Sequence, residues 1–130
     1  EWQTTSPEGL RLRARLDQRV GETAVTTIVT YEEQCQGWLA RIAKSKTLPK
    51  LVQSYHWLAR HIDVYQRLSV LEFDQRAASK FEELVKARLG IGTHDLRIAA
   101  IALVHNATLL SRNLKDFTKV PGLRVEDWTI

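Results

Sequence analysis

The sequence predicts a single α/β domain, residues 1–130, built on a small parallel sheet, and three observations predict it. Short β-branched or apolar segments alternate with longer segments of helical periodicity, and strands separated by helices pair in parallel through right-handed crossovers. The run from Leu96 through Ile98 to Val104 is apolar on almost every side, the mark of a helix buried within a fold. At 130 residues the chain has the size of one domain and buries roughly two-thirds of its unfolded surface.

Each element follows from local signals. Ser6 and Pro7 suit the cap and first position of a helix that carries Leu10, Leu12 and Leu16 inside and Arg11, Arg13, Arg15 and Arg19 mostly outside, ending at Gly21. Thr23–Val29 is β-branched and reads as a buried strand. Tyr31–Lys46 turns helical, with Trp38, Leu39 and Ile42 on one face. Pro49 opens a second helix through Leu51, Tyr55, Leu58, Ile62 and Tyr65. Val70–Phe73 is a short strand, and Asp74 caps a helix with Ala77, Phe81, Leu84 and Val85 that ends at Gly90. Thr93 caps the apolar helix, Asn106 ends it, and Thr108–Ser111 and Leu123–Val125 are the last strands.

Composition narrows the functional classes. A hydrophobic fraction of 44% and a charged fraction of 26% exclude disorder. Cys35 has no partner for a disulfide within the chain, which fits a reducing compartment, and it reads as a small buried apolar residue. No stretch approaches the roughly 20 apolar residues of a membrane span and no signal-peptide pattern opens the chain, so a cytoplasmic protein without membrane contact is expected. The net charge of +4 and pI of about 9.5 point toward an acidic partner such as nucleic acid.

Ligands of open parallel sheets bind beyond the carboxyl ends of the strands. Glu32 and Glu33 follow the first strand, Asp95 lies in the first turn of the buried helix, and Ser111, Arg112, Asn113 and Asp116 follow the strand at Leu109–Leu110. Each has a plainer alternative. Asp95 could complement the helix dipole, Glu33 could be a solvated helix residue, and Asp116 could cap the turn before Phe117. His94 reads as a surface residue, and His56, His61 and His105 show no ligand spacing. The arginines of the first helix read as a solvated face, with an RNA-facing stripe as the alternative.

The phrase Gly92-Thr93-His94-Asp95-Leu96-Arg97-Ile98-Ala99-Ala100 resembles the PIN-domain ribonucleases, specifically the VapC-type toxins of bacterial toxin–antitoxin pairs. Three further segments match in order: Ile28–Glu33 followed by Gly37, Leu110–Asn113 with Asp116-Phe117, and Val120–Leu123 closing with Glu126-Asp127-Trp128. The resemblance implies a PIN-like three-layer fold and a metal-dependent endoribonuclease that cuts exposed single-stranded RNA. It further implies Mg²⁺ or Mn²⁺ held by carboxylates, a homodimer, and an antitoxin that inserts a helix or extended peptide into the active-site groove. Carried over by position, Glu33, Asp95 and Asp116 are the catalytic and metal-ligating acids, with Glu32 competing for the role of Glu33. Ser111, Arg112 and Asn113 would face substrate, and in some relatives the Asn113 position is itself acidic. The chemistry needs such a cluster, because Mg²⁺ takes hard oxygen ligands and a bound cation relieves the repulsion of crowded carboxylates.

The family pattern opens with a short apolar strand that carries its first catalytic aspartate and lies at the centre of the sheet. Here Glu1-Trp2-Gln3 reads as part of the first helix. The expectation is therefore an N-terminally incomplete domain, a truncated form of an active toxin, lacking the central strand and a principal metal ligand. The rival expectation is a non-catalytic, degenerate PIN domain that binds RNA or an antitoxin without cutting.

Overall fold

The computed structural model describes residues 25–111 and 113–127. The helix expected over Ser6–Gly21 lies outside the described residues, as do Arg112 and the start of the chain at Glu1-Trp2-Gln3, on which the expected lack of the family's opening strand rests. The described chain forms two compact units, Val25–Glu72 and the residues from Phe73 onward. The expected single sheet is replaced among the described residues by two separate two-stranded parallel sheets, each strand three residues long.

In the first unit, β1 (Val25–Thr27) pairs with β2 (Ser69–Leu71), Thr26 opposite Val70. The expected strand over Thr23–Val29 is shorter because Thr27 turns the chain into a helix. Its backbone stays extended while its hydroxyl accepts from the Thr30 amide at 3.0 Å. Ile28 and Val29 therefore open helix α1 (Ile28–Lys44) rather than continue the strand. Ser45 ends α1, its hydroxyl donating to the Arg41 carbonyl at 2.8 Å. Thr47 then caps α2 (Leu48–Gln66), with Pro49 in its first turn, where a missing N–H costs nothing.

The two helices form an antiparallel hairpin around a partly polar seam. The inward face of α2 runs Leu51, Ser54, Leu58, His61 and Tyr65, spaced alternately by three and four residues. Ser54, His61 and Tyr65 are its most buried members. The Ser54 and Ser45 hydroxyls lie 2.8 Å apart, and the Tyr65 hydroxyl donates to Gln34 Oε1 at 2.9 Å. His61 stacks on Tyr31 at 5.2 Å between ring centroids, and its Nε2 lies 3.7 Å from Cys35 Sγ. Three expected inward residues face out: Leu39, Tyr55 and Ile62 are exposed, and Ile62 instead lines a shallow apolar cavity of 220 Å³ with Ile28, Tyr31 and Val70.

The second unit is built on a helix pair. Asp74 caps α3 (Gln75–Lys86), its carboxylate accepting from the Ala77 amide at 3.0 Å, and the chain then turns through Arg88 and Gly90, both with positive φ. Helix α4 (Thr93–Val104) packs along α3. Gly92, not Thr93, occupies the cap position, and no side chain caps this helix. Leu96, Ile98 and Ala99–Ala102 are buried, and Ala77, Ala99, Ala100 and Ile101 are wholly so. The Arg97 guanidinium covers the Phe81 ring at 5.7 Å, and Phe73 meets the same ring edge-on. Asn106, in the left-handed region, ends the helical run and turns the chain into β3 (Thr108–Leu110). Helix α5 (Leu114–Phe117) then leads to β4 (Arg124–Glu126), which pairs parallel to β3 with Leu109 opposite Val125. No helix among the described residues is long and apolar enough to cross a membrane.

Burial pushes the His61 imidazole below its ordinary value. The unfolded chain therefore takes up this proton at a higher pH than the native one. Stability rises with pH across the interval between the two values and levels off above about 6.5. Urea unfolding at a series of pH values should show this rise, and His61→Gln should remove part of it. An unchanged slope in the variant would place the acid sensitivity elsewhere.

Candidate active site

The second unit brings two carboxylates together by a chain of local constraints. The β3–β4 ladder continues one step past its strands, with the Ser111 amide donating to the Glu126 carbonyl at 3.0 Å. The Ser111 hydroxyl accepts from the Asn113 amide at 3.0 Å and holds the start of α5. Phe117, 4% exposed, and Val120, 3% exposed, anchor this turn in the core. Asp116 is thereby fixed one residue before a buried aromatic ring. Asp95 comes from the first turn of α4, so the most deeply buried helix of the unit sets its position.

Asn113 joins the two acids. Its Nδ2 donates to Asp116 Oδ2 at 3.1 Å and, at a longer 3.5 Å, to Asp95 Oδ2. Ionised carboxylates only accept hydrogen bonds, so the amide NH₂ and not its oxygen faces both. Lys119 Nζ lies 3.7 Å from the other Asp116 oxygen, in a partly exposed pair of the kind worth at most about 1 kcal/mol. Burial first, and the Asp116 charge second, raise the Asp95 carboxyl above its usual range, while the neighbouring His94 acts in the opposite direction. These are the signs of a site that holds negative charge under mild electrostatic strain.

The expected site residues divide accordingly. Asp95, Asp116, Asn113 and Ser111 come together in one unit. Glu33 and Glu32 are exposed on α1 in the Val25–Glu72 unit. Arg112 lies outside the described residues. Among the described residues no three His, Cys, Asp or Glu side chains cluster as a ready metal cage. The donor chemistry nonetheless suits Mg²⁺ or Mn²⁺, since the Asp95 and Asp116 carboxylates would supply hard oxygen ligands. Sequence reading missed the contacts that organise the pair, the Asn113 bridge and the Lys119 ion pair. The only sequence signal for either is the three-residue spacing from Asn113 to Asp116 and from Asp116 to Lys119.

The sequence profile of the PIN domain matches residues 1–123. The chain belongs to the PIN-domain family. Among similar proteins is the ribonuclease VapC2 of Haemophilus influenzae, 30% identical over 123 residues that cover 92% of this chain and 85% of the relative. Others match over shorter stretches. The ribonuclease VapC2 of Rickettsia felis is 35% identical over 52% of this chain, and the tRNA(fMet)-specific endonuclease VapC of Salmonella typhimurium is 35% identical over 48%. These matches span about half the length of those relatives, 54% and 50%. Solved structures agree on the fold. VapBC-1 of nontypeable Haemophilus influenzae superposes with a TM-score of 0.76 at 25% identity, covering 93% of this chain and 87% of that one. VapBC2 of Rickettsia felis, bound to a DNA fragment from its promoter, gives 0.68 at 28% identity over 89% of this chain and 84% of that one. This PIN domain is mostly helical, with small parallel sheets.

The buried ring of Phe117 makes the position of Asp116 a packing problem. Phe117→Ala should cost about 3–5 kcal/mol of unfolding free energy in urea titrations. A loss below about 1 kcal/mol would show that α5 is held by something other than this ring.

Proposed function

We propose that this PIN domain is a metal-dependent endoribonuclease toxin that hydrolyses RNA phosphodiester bonds and is neutralised by an antitoxin. The observation that carries the reading is the pairing of Asp95 with Asp116 through Asn113, in the segment whose sequence matches the family. In this reading Asp95 and Asp116 hold Mg²⁺ or Mn²⁺, and Glu33 is the further acid assigned by resemblance alone. The family's three-layer arrangement, with an acid-bearing strand at the centre of the sheet, belongs to the same reading. The bound cation would supply Lewis-acid stabilisation of the phosphate and a more acidic water. Asp95 and Asp116 would fix that charge beside the scissile phosphate, Ser111 would donate to phosphate or sugar oxygens, and Arg112 would pair with a phosphate.

A second reading is favoured by one contact, the Lys119 ammonium beside Asp116. A cation already paired with that carboxylate suits a degenerate PIN domain that binds RNA or an antitoxin without cutting.

Cleavage of single-stranded RNA with Mg²⁺ or Mn²⁺, with and without chelator, separates the two. The nuclease reading expects chelator-sensitive cleavage and a loss of at least about a hundredfold in Asp95→Asn, since even outer contacts to a bound metal are worth 10–100-fold. RNA binding without cleavage by folded, metal-loaded protein would favour the binding module.

Partners follow the same reading. The related structures are VapBC complexes, and the outer face of α2 carries an exposed apolar seam. Leu48, Val52, Tyr55 and Ile62, spaced like a helix-packing seam, are 49–76% exposed. Beyond the helix or extended peptide that the resemblance sends into the active-site groove, we assign this seam to a further apolar segment of the antitoxin, and homodimerisation stays as the resemblance implies it. Tyr55→Lys should weaken antitoxin binding in calorimetry at least about tenfold. Unchanged affinity with a loss of dimer in sedimentation would transfer the seam to the dimer interface.

A further inference from the structure

Asn113 stands where the two acids of the site meet. Its side chain carries two N–H donors, one oxygen acceptor and no charge. Both hydrogen bonds formed by its Nδ2 go to carboxylate oxygens, 3.1 Å to Asp116 Oδ2 and 3.5 Å to Asp95 Oδ2. Those oxygens belong to residues on different helices, and the donor sits on the turn between β3 and α5. The Asn113 backbone is itself restrained by the bond from its amide to the Ser111 hydroxyl. The amide thus contributes two partial positive charges where two acids approach each other, as a small cation would.

We propose that Asn113 is the positioning residue of this carboxylate pair: its amide NH₂ draws Asp95 and Asp116 toward a common point, and a divalent cation takes their oxygens only in exchange for it. This rests on the reading of the pair as a cation site, and it replaces the substrate-facing role expected for Asn113. The exchange needs little motion. The terminal amide torsion of asparagine is broad and roughly two-fold, so a turn of about 180° replaces the NH₂ by Oδ1, a hard oxygen suited to Mg²⁺. One side chain then serves two states, a donor to the carboxylates when no cation is bound and an acceptor toward the cation when one is. An aspartate at this position could not perform the first role, because it carries no donor when ionised and adds a third negative charge.

The test is a Mg²⁺ titration of the full chain followed by NMR, reading the side-chain ¹⁵N–¹H₂ signals of Asn113 and the carboxyl ¹³C signals of Asp95 and Asp116. Exchange predicts that all three move with one midpoint and that the Asn113 protons lose the downfield shift of hydrogen bonds to carboxylate. Movement of the Asp95 and Asp116 signals with a stationary Asn113 overturns the exchange and leaves the cation site standing. If neither acid responds to Mg²⁺, the cation site itself fails and the exchange falls with it. Asn113→Asp supplies a second measurement. By removing the competing donor and adding a carboxylate, it should bind Mg²⁺ at least about tenfold more tightly in calorimetry. It should also melt at a lower temperature than the parent in chelator. Affinity equal to or weaker than the parent's in a folded variant counts against the exchange, and the NMR titration stands if the variant does not fold.

Discussion

The packing of α3 along α4 is the constraint on which the carboxyl-terminal unit depends. Ala77 on α3 and Ala99 and Ala100 on α4 are wholly buried, and small side chains of this kind let helix backbones approach closely. Interiors are packed like organic crystals, so there is little slack through which α4 could slide or rotate. Its first turn is fixed by the same contacts, and with it the carboxylate of Asp95. The position of Asp95 is inherited from core packing, whereas Asn113 and Asp116 are placed by the turn after β3.

The electrostatics run against the packing. Partial burial makes the ionised form of Asp95 less favourable, and Asp116 adds like charge. The unit answers with a side-chain donor that the backbone path positions: the β3–β4 ladder fixes Ser111, Ser111 fixes Asn113, and the Asn113 amide NH₂ faces both acids. The strain stays small because the site remains partly open to water, where charge is screened. Such a site costs the fold little.

How far the sequence disclosed this depends on which signal each residue carried. The α4 helix was legible because it is apolar all round, a pattern that fits no exposed element. Asp95, Asn113 and Asp116 could be singled out as candidates because the ends of parallel strands are where ligand-facing residues gather. The first strand was read too long at Ile28 and Val29, since their β-branched side chains look like strand until the Thr27 cap is seen in three dimensions. The inward face of α2 was misread for the opposite reason. Ser54 and His61 look like surface residues, while Tyr55 and Ile62 look like core. Burial of the polar pair is stabilised by partners from α1, and no single-helix periodicity reports a partner on another helix. The bridging role of Asn113 was invisible likewise, because it depends on an oxygen from a residue 18 positions away.

Helix α2 carries two apolar-compatible stripes, offset around its axis, and the polar members of one decide which of them turns inward. The Ser45–Ser54 contact and the Cys35–His61 contact act as keys that only one rotation of the helix satisfies. The exposed outer residues Leu48, Val52 and Tyr55 consequently take no part in the contacts that set this rotation. Substitutions there can accumulate, change size or exchange one apolar side chain for another while the hairpin keeps its register. The exposed stripe can therefore vary over a hairpin whose register is set elsewhere.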